Sequence, residues 1–323
     1  MLISDVVGND LDYISSGPTV PDFTTPRQCL DLLESMCVLS SAPQSVVDLL
    51  QSKAKLPEFT KDIKGHGENI ELEQVIQKNQ PSFHCENVQN LIIGSNEIAL
   101  QAAYRAANEA GYGAFILSSE VVGDADDIGR MFAQLATYVC RSLRCGRGAD
   151  AQLVASEIQL VQQRGVSKQT ITALRQVIEE SSHTGRPICL LAAGETTVQV
   201  KGKGVGGRCQ QMALSAAVEM DLLMSGNSDM GHEFAVAFLT AGTDGQDGPT
   251  DAAGAVVDTG LVGRAKRSGA GDPAEFLASN DTNTFLARFE KGRNLLKTGL
   301  TGTNVMDVHI VLIEQCKTSG SAI

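Results

Sequence analysis

A chain of 323 residues with 42% hydrophobic content can bury one large or two ordinary cores, and two domains are expected. Its 32 glycines, few aromatics and absence of Trp suit an α/β enzyme with many tight strand-to-helix turns. A formal net charge of −12 argues against a broad nucleic-acid or membrane face, because either would need a basic surface.

The eight Cys include no C-x-x-C pair, which argues for reduced thiols in an intracellular protein rather than a zinc site or disulfide framework. No run approaches 18 consecutive apolar residues, so no spanning helix is expected, and no targeting segment is read after Met1.

In chain order, Met1-Leu2-Ile3 reads as the end of a strand meeting the loop Ser4 to Asp10, so the chain is expected to begin in mid-fold. Pro26 opens a helix through about Met36, with Leu30, Leu32 and Leu33 on its apolar side. Residues 53 to 87 are polar and are expected to be a surface excursion with some helix. A strand from Val88 to Ile93, the turn Gly94-Ser95-Asn96 and an Ala-lined helix make a β-loop-α unit. Ala114 to Leu117 is the next strand and Asp126 to Leu143 the next helix, an alternation that predicts right-handed crossovers and a parallel sheet.

Ser181 to Gly185 reads as a linker between a first domain, 1–183, and a second, 184–323. Beyond it come strands Ile188 to Ala193 and Thr197 to Val200, then the loop Gly202 to Gly207 opening a helix from Arg208 to about Leu223. Strand Ala235 to Ala241 leads into the loop Gly242 to Asp251. Two or three short helices follow, strand Val308 to Ile313 closes the sheet, and the Ser/Gly tail frays.

Three loops carry the chemistry. Asp244, Asp247 and Asp251 follow a strand, where open α/β sheets bind ligands, and no Glu closes the loop in the EF-hand manner. Asp244 is therefore read as a magnesium or substrate-hydroxyl residue, with a turn held by Asx bonds as the plain alternative. Gly202 to Gly207 matches G-x-G-x-x-G, but no acidic residue ends a second strand about 20 residues on, so it is a poor dinucleotide fingerprint. What remains is an anion site at a helix N-terminus, with Arg208 able to take phosphate oxygens bidentately. Gly94, Ser95 and Asn96 repeat that arrangement, with a helix cap as the plain alternative. Lys297 to Asn304 is a third Gly/Thr loop beside a cation. No P-loop, G-x-S-x-G or H-E-x-x-H is present. Together these loops suggest a phosphorylated ligand and a divalent metal.

Five motifs, in order, resemble class II D-glycerate 2-kinases. They are Ser4 to Leu11 with Ser16-Gly17-Pro18-Thr19, Asn90 to Asn96, Ala193 to Val198 with Gly206-Gly207-Arg208, Gly242 to Ala255, and Leu296 to Asn304. The resemblance implies the C-terminal portion of a Rossmann-like parallel-sheet domain followed by a second α/β domain, called MOFRL, with the active site in a cleft between domains. It implies ATP- and Mg2+-dependent phosphorylation of the 2-hydroxyl of D-glycerate. It further implies that Arg208 stabilises the transferring phosphoryl group and that Asp244 is an acidic residue near substrate or metal, with Asp5 a second acidic group. Gly94, Ser95 and Asn96, with Gly204, Gly206 and Gly207, would hold the nucleotide, and Thr301, Gly302, Thr303 and Asn304 would form a substrate or phosphate loop.

Departures are local: Cys209 and Gln211 replace Asn and Glu, Leu300 replaces Pro, and Asn9 replaces Asp. A larger one is that an active-site Lys of the family precedes the matched region and has no counterpart here. Three readings follow: an active kinase; a truncated, non-catalytic isoform acting as a binding module; and, disfavoured by the missing ribose acid, an NAD(P)-dependent hydroxypyruvate reductase. Glycerate and ATP are the expected ligands, with a homodimer kept as an expectation. The expected location is cytoplasmic, with a mitochondrial parent reached through a targeting segment outside this chain.

Overall fold

The structure is a computed structural model and describes residues 1–22, 24–56, 88–145, 166–225 and 230–316. It divides into two compact units, one of Met1–Asn9 with Ile92–Ile323 and one of Asp10–Leu91. The chain has a mixed α/β fold with a small parallel sheet and a larger mixed one.

In the unit Asp10–Leu91, α1 (Pro26–Ser35) packs on α2 (Gln44–Ala54). The start of α1 is set locally. Thr25 Oγ1 accepts the Gln28 amide at 3.2 Å, the Gln28 side chain accepts the Thr25 amide at 2.8 Å, and Pro26 needs no amide partner in the first turn. The expected apolar side is not a buried one: Leu32 is 59% exposed and no residue of α1 is buried. Two short helices present too little surface to enclose a Leu ridge. Most of the polar stretch expected as a surface excursion, from 57 to 87, lies outside the described residues.

In the other unit, β1 (Leu2–Ile3) and β2 (Ile92–Gly94) form a two-stranded parallel pair. Next come α3 (Asn96–Glu109), β3 (Gly113–Val121), α4 (Ala125–Cys145), α5 (Lys168–Thr184) and β4 (Ile188–Gly194). They are followed by α6 (Arg208–Ser225), α7 (Met230–Glu233), β5 (Phe234–Gly242), β6 (Gly254–Asp258), α8 (Leu261–Ser268), α9 (Pro273–Ala278), α10 (Thr282–Arg288), β7 (Leu295–Leu296) and β8 (Asp307–Gln315).

The six-stranded sheet runs β3-β4-β8-β5-β6-β7. Only β3 and β4 pair parallel within it; every later pair is antiparallel. The parallel pairing expected from the strand–helix alternation of the first half is found in β1–β2 and β3–β4. β8 inserts between β4 and β5, and a strand–helix alternation in sequence carries no information on that insertion. Thr197 to Val200 is not a strand: Thr197 makes one isolated bridge to Asp124. Ser181 to Thr184, expected as a linker, completes α5, whose end is capped by Gly185 at φ 70 with its amide on the Ser181 carbonyl. The sheet takes β3 from before residue 184 and its other strands from after it. The Ser/Gly tail lies outside the described residues.

Each face of the sheet has its own core. Leu191 and Ala193 of β4 pack with Leu100 of α3, Ile310 and Leu312. Val311 and Ile313 face the opposite way, into the larger core with Phe132, Leu135 and Val139 of α4 and Met212, Ala213 and Ala216 of α6. By the same period of two, Asp307 and His309 lie on the α4/α6 face. That places a buried carboxylate and a buried imidazole in a largely apolar layer, beside buried Thr240.

Candidate functional site

Three strands meet at one end of the sheet. Asp307, the first residue of β8, stands opposite Gly194, the last of β4, and Gly242, the last of β5. Neither neighbour can be larger without cost. Gly194 has φ 152, and a Cβ there would lie 2.1 Å from the Val121 carbonyl oxygen. A Cβ at Gly242 would lie 2.9 Å from Asp244 Oδ1 and 3.4 Å from Asp307 Oδ1, so the two carboxylates converge over the glycine.

Arg208, the first residue of α6, is aimed at this point. Its Nε donates to Asp307 Oδ2 at 2.7 Å and its Nη2 to Asp307 Oδ1 at 2.7 Å. The Asp307 side chain is fully buried, and this fork satisfies both of its oxygens. Nη2 also reaches Glu195 Oε1 at 3.2 Å, from a glutamate that immediately follows the end of β4 and is 42% exposed. Burial pushes the Glu195 carboxyl above its usual range, Arg208 pulls it down, and the charges of Asp307, Asp5 and Asp244 push it up again. Asp307 and the other carboxylates hold the Arg208 guanidinium charged. Arg208, Asp244 and Asp5 are thus brought together, along with two residues that the sequence reading did not single out, Glu195 and Asp307. A signal existed for both: Glu195 directly follows a strand-ending glycine, and Asp307 with His309 interrupts a β-patterned apolar run.

The Gly-rich loop before α6 is held by the protein itself. Asn280 Oδ1 accepts the amides of Lys201 and Gly202, the Ser279 carbonyl that of Gly204, and Asp281 Oδ1 that of Val205. Added Cβ atoms at Gly204, Gly206 and Gly207 would fall 2.4 Å from the Asp281 side chain, 2.3 Å from Thr282 Oγ1 and 2.3 Å from the Asp247 carboxyl. These glycines are required by close packing, which accounts for the G-x-G-x-x-G string without a dinucleotide. Asp247 is buried and caps α6 from a distance: Oδ1 accepts the Cys209 amide at 3.0 Å and Oδ2 the Gln210 amide at 2.9 Å. Burial raises its pKa, against the lowering effect of those amides. The amides of Gly206, Gly207 and Arg208 have no acceptor among the described residues. Three consecutive donors at a helix start suit an anion.

The loop 298–306 is bound to the Asp244 loop. Thr301 Oγ1 donates to the Thr243 carbonyl at 2.6 Å and the Thr301 amide to the Asp244 carbonyl at 3.0 Å; the Val305 amide donates to Thr243 Oγ1 at 2.8 Å. Thr301, Gly302, Thr303 and Asn304 are exposed on it. Asp244 Oδ1 accepts the Gln246 amide at 3.0 Å, so its Asx turn is real and coexists with a partly exposed carboxylate. Asp251 is outside the cluster, exposed and paired with Lys297 at 2.8 Å.

Gly94 accepts the Ser4 amide at 2.9 Å, next to Asp5. Ser95 caps α3 by accepting the Ile98 amide at 3.3 Å, and buried Asn96 donates to the Ser119 carbonyl at 2.6 Å. Beneath Arg208 and Asp307, buried His309 pairs through Nδ1 with Thr240 Oγ1 at 2.8 Å, while its Nε2 has no hydrogen-bond partner among the described residues. Burial lowers its pKa to about 4, so the imidazole is neutral. Among the described residues no group of three or more His, Cys, Asp or Glu is arranged to hold a metal ion by itself, and no helix is long and apolar enough to cross a membrane.

Comparison with known proteins gives this geometry a setting. Residues 188–307 match the MOFRL family, and residues 1–51 match a domain of unknown function, DUF4147. The chain is 39% identical over 314 residues to a glycerate kinase of Danio rerio, covering 97% of this chain and 57% of that protein. It is 38% identical over 313 residues to a glycerate kinase of Macaca fascicularis, covering 97% of this chain and 71% of the relative. The crystal structure of Thermotoga maritima glycerate kinase superposes with a TM-score of 0.61 at 29% identity, covering 96% of this chain and 56% of that one. The chain spans a little over half the length of most relatives it matches. With matched sequence along nearly its whole length, the chain belongs to the glycerate kinase family.

Proposed function

We propose that this chain carries one wall of an ATP-dependent D-glycerate 2-kinase site, in which Arg208 stabilises the charge that develops as a phosphoryl group passes to the 2-hydroxyl of D-glycerate. The observation that carries the reading is the position of Arg208. A buried carboxylate fixes one side of the guanidinium at 2.7 Å, and three unpartnered amides lie at its own helix start. Phosphoryl transfer relies on positioning and on preorganised positive charge, which such an anchored Arg supplies without reorganising.

In this reading Gly206, Gly207 and Arg208 receive phosphate oxygens through their amides, with Gly94, Ser95, Asn96 and Gly204 shaping the nucleotide side. Thr301, Gly302, Thr303 and Asn304 line the substrate side. Asp244 accepts the hydroxyl proton or, with Asp5, takes part in holding the metal. An exposed carboxylate, Asp5, and a partly exposed one, Asp244, at loop positions suit Mg2+, which keeps waters and substrate phosphates as its other ligands. When bound, Mg2+ would neutralise phosphate charge. The two-domain division at residue 184, a homodimer, and a cytoplasmic or mitochondrial location belong to the same proposal.

The test is ADP release with D-glycerate and MgATP. Turnover that falls by about 10²- to 10³-fold in Arg208→Lys with the fold retained is expected. Absence of turnover and of nucleotide binding in the wild-type chain would count against it, and NADH oxidation with hydroxypyruvate, without ATP, would favour a reductase instead.

A further inference from the structure

An arginine side chain offers two bidentate edges, the Nε/Nη2 side and the Nη1/Nη2 end. In Arg208 the side edge is spent on buried Asp307, both arms at 2.7 Å. Nη2 also lies 3.2 Å from Glu195 Oε1, an ion-pair contact rather than a hydrogen bond, and Nη1 has no partner among the described residues. The two carboxylates differ in every respect that matters for exchange. Asp307 is fully buried and doubly hydrogen-bonded, whereas Glu195 is 42% exposed and held only by an ion-pair contact at 3.2 Å. Glu195 also sits among the like charges of Asp307, Asp5 and Asp244 and is held above its usual pKa first by burial, so its ionised form is not at ease there.

We propose that Glu195 is the specificity-determining carboxylate of this site, an internal anion paired with Nη2 of Arg208 that a tetrahedral dianion must displace to bind the free end of the guanidinium. The proposal rests on the reading of Arg208 as a phosphoryl-binding residue. Asp307 stays bound throughout and keeps the guanidinium plane fixed, while Glu195 swings to solvent and gives up Nη2. The consequence is selectivity. A monoanion or a weakly placed anion does not repay the lost pair, whereas a dianion with two oxygens on Nη1 and Nη2 does.

The experiment uses sulfate, a tetrahedral ion that remains a dianion across the working pH range, titrated calorimetrically into the whole chain at pH 7 and fixed ionic strength. Glu195→Gln removes the competing charge and is expected to tighten sulfate binding by about 3- to 10-fold. Glu195→Asp keeps the charge but is one methylene too short to reach Nη2, and a gain of about 2- to 3-fold is expected. A background field effect alone would leave Glu195→Asp at the wild-type value. Sulfate affinity that is unchanged or weaker in Glu195→Gln, or sulfate binding undetectable in both wild type and that variant at 100-fold excess over protein, would overturn the proposal; a thermal melt confirms that the half-exposed site tolerates the change. Glycerate phosphorylation assayed on the same preparations separates the two ideas. Turnover without a sulfate gain sinks the role of Glu195 alone, and a sulfate gain without turnover and without nucleotide binding sinks the kinase reading alone.

Discussion

Two arginines in this molecule each grip an aspartate with two hydrogen bonds and meet a glutamate, one at the end of β5 and one beside its middle. Arg208 grips Asp307, opposite Gly242, and touches Glu195; Arg264 grips Asp258, opposite Ala237, at 2.7 and 2.8 Å and touches Glu290 at 2.8 Å. Their surroundings differ. Around Arg264 the charges balance, because Arg293 also pairs with Glu290 at 2.8 Å, and the guanidinium lies 6.0 Å from the Phe289 ring centroid. Burial pushes Asp258 up, but its bonds to Arg264 win and hold it below the usual carboxylate range. Around Arg208 there is a surplus of carboxylates, and Glu195 is held above that range instead. Hydrogen-bond geometry alone does not mark a functional arginine. In the proposed reading it is the uncompensated carboxylate surplus beside Arg208 that sets it apart, because a further cation, a displacing ligand or a proton relieves it.

The sharpest way to break this comparison is to remove the aspartates. Asp307→Ala leaves Arg208 without its buried partner and is expected to cost about 3 to 5 kcal/mol in urea unfolding. Asp258→Ala, in a pair both of whose side chains keep about a third of their exposure, is expected to cost about 1 kcal/mol. Equal losses would mean that the two clusters are equivalent struts.

Next in size is a pH effect confined to the Arg208 end. His309 is neutral in the fold, with its pKa lowered from 6.5 to about 4, so below pH 6.5 the unfolded chain binds a proton that the fold refuses. Stability from this group is complete above pH 6.5 and is lost as pH falls towards 4. At about 1.4 kcal/mol per pH unit, the loss is about 3 kcal/mol. In His309→Gln that part of the slope should vanish; an unaltered slope would show that carboxylates alone set the acid sensitivity.

Smaller again is Asp247→Ala, which uncaps the Cys209 and Gln210 amides at the start of α6 and is expected to cost about 2 kcal/mol. Because the same helix start carries Arg208, turnover in this variant should fall by more than the stability loss alone explains. Smallest is Arg293→Ala, whose side chain is 68% exposed; a change in unfolding free energy within about 0.5 kcal/mol is expected. A larger loss would mean that charge balance around Arg264 is itself a stabilising device.

Much of this was legible in the residues. Pro26 started α1, the run Ile188 to Ala193 was a buried strand, and Gly207-Arg208 was the threshold of a helix, because turn residues and hydrophobic period act over a few neighbours. The family motifs likewise drew attention to Arg208 and Asp244. Other features were not legible. Asp247 looked like a further loop carboxylate beside Asp244, yet it is the buried cap of a helix that begins 39 residues earlier, while Asp251 is a surface partner of Lys297. The glycines of Gly202 to Gly207 looked like a phosphate cradle and are in the first place the space into which Ser279 to Thr282 and Asp247 pack.

The sequence by itself determined where most of the helices and the longer strands lie, which loops are rich in glycine and charge, and to which family the chain belongs, since each depends on local sterics or on the order of motifs. Tertiary structure alone decided that β8 enters the middle of the sheet. That insertion carries Asp307 between Gly194 and Gly242 and beneath Arg208, 99 residues away in the chain. A pairing at that separation is selected by the closure of the whole sheet over its two cores, and no local pattern encodes it.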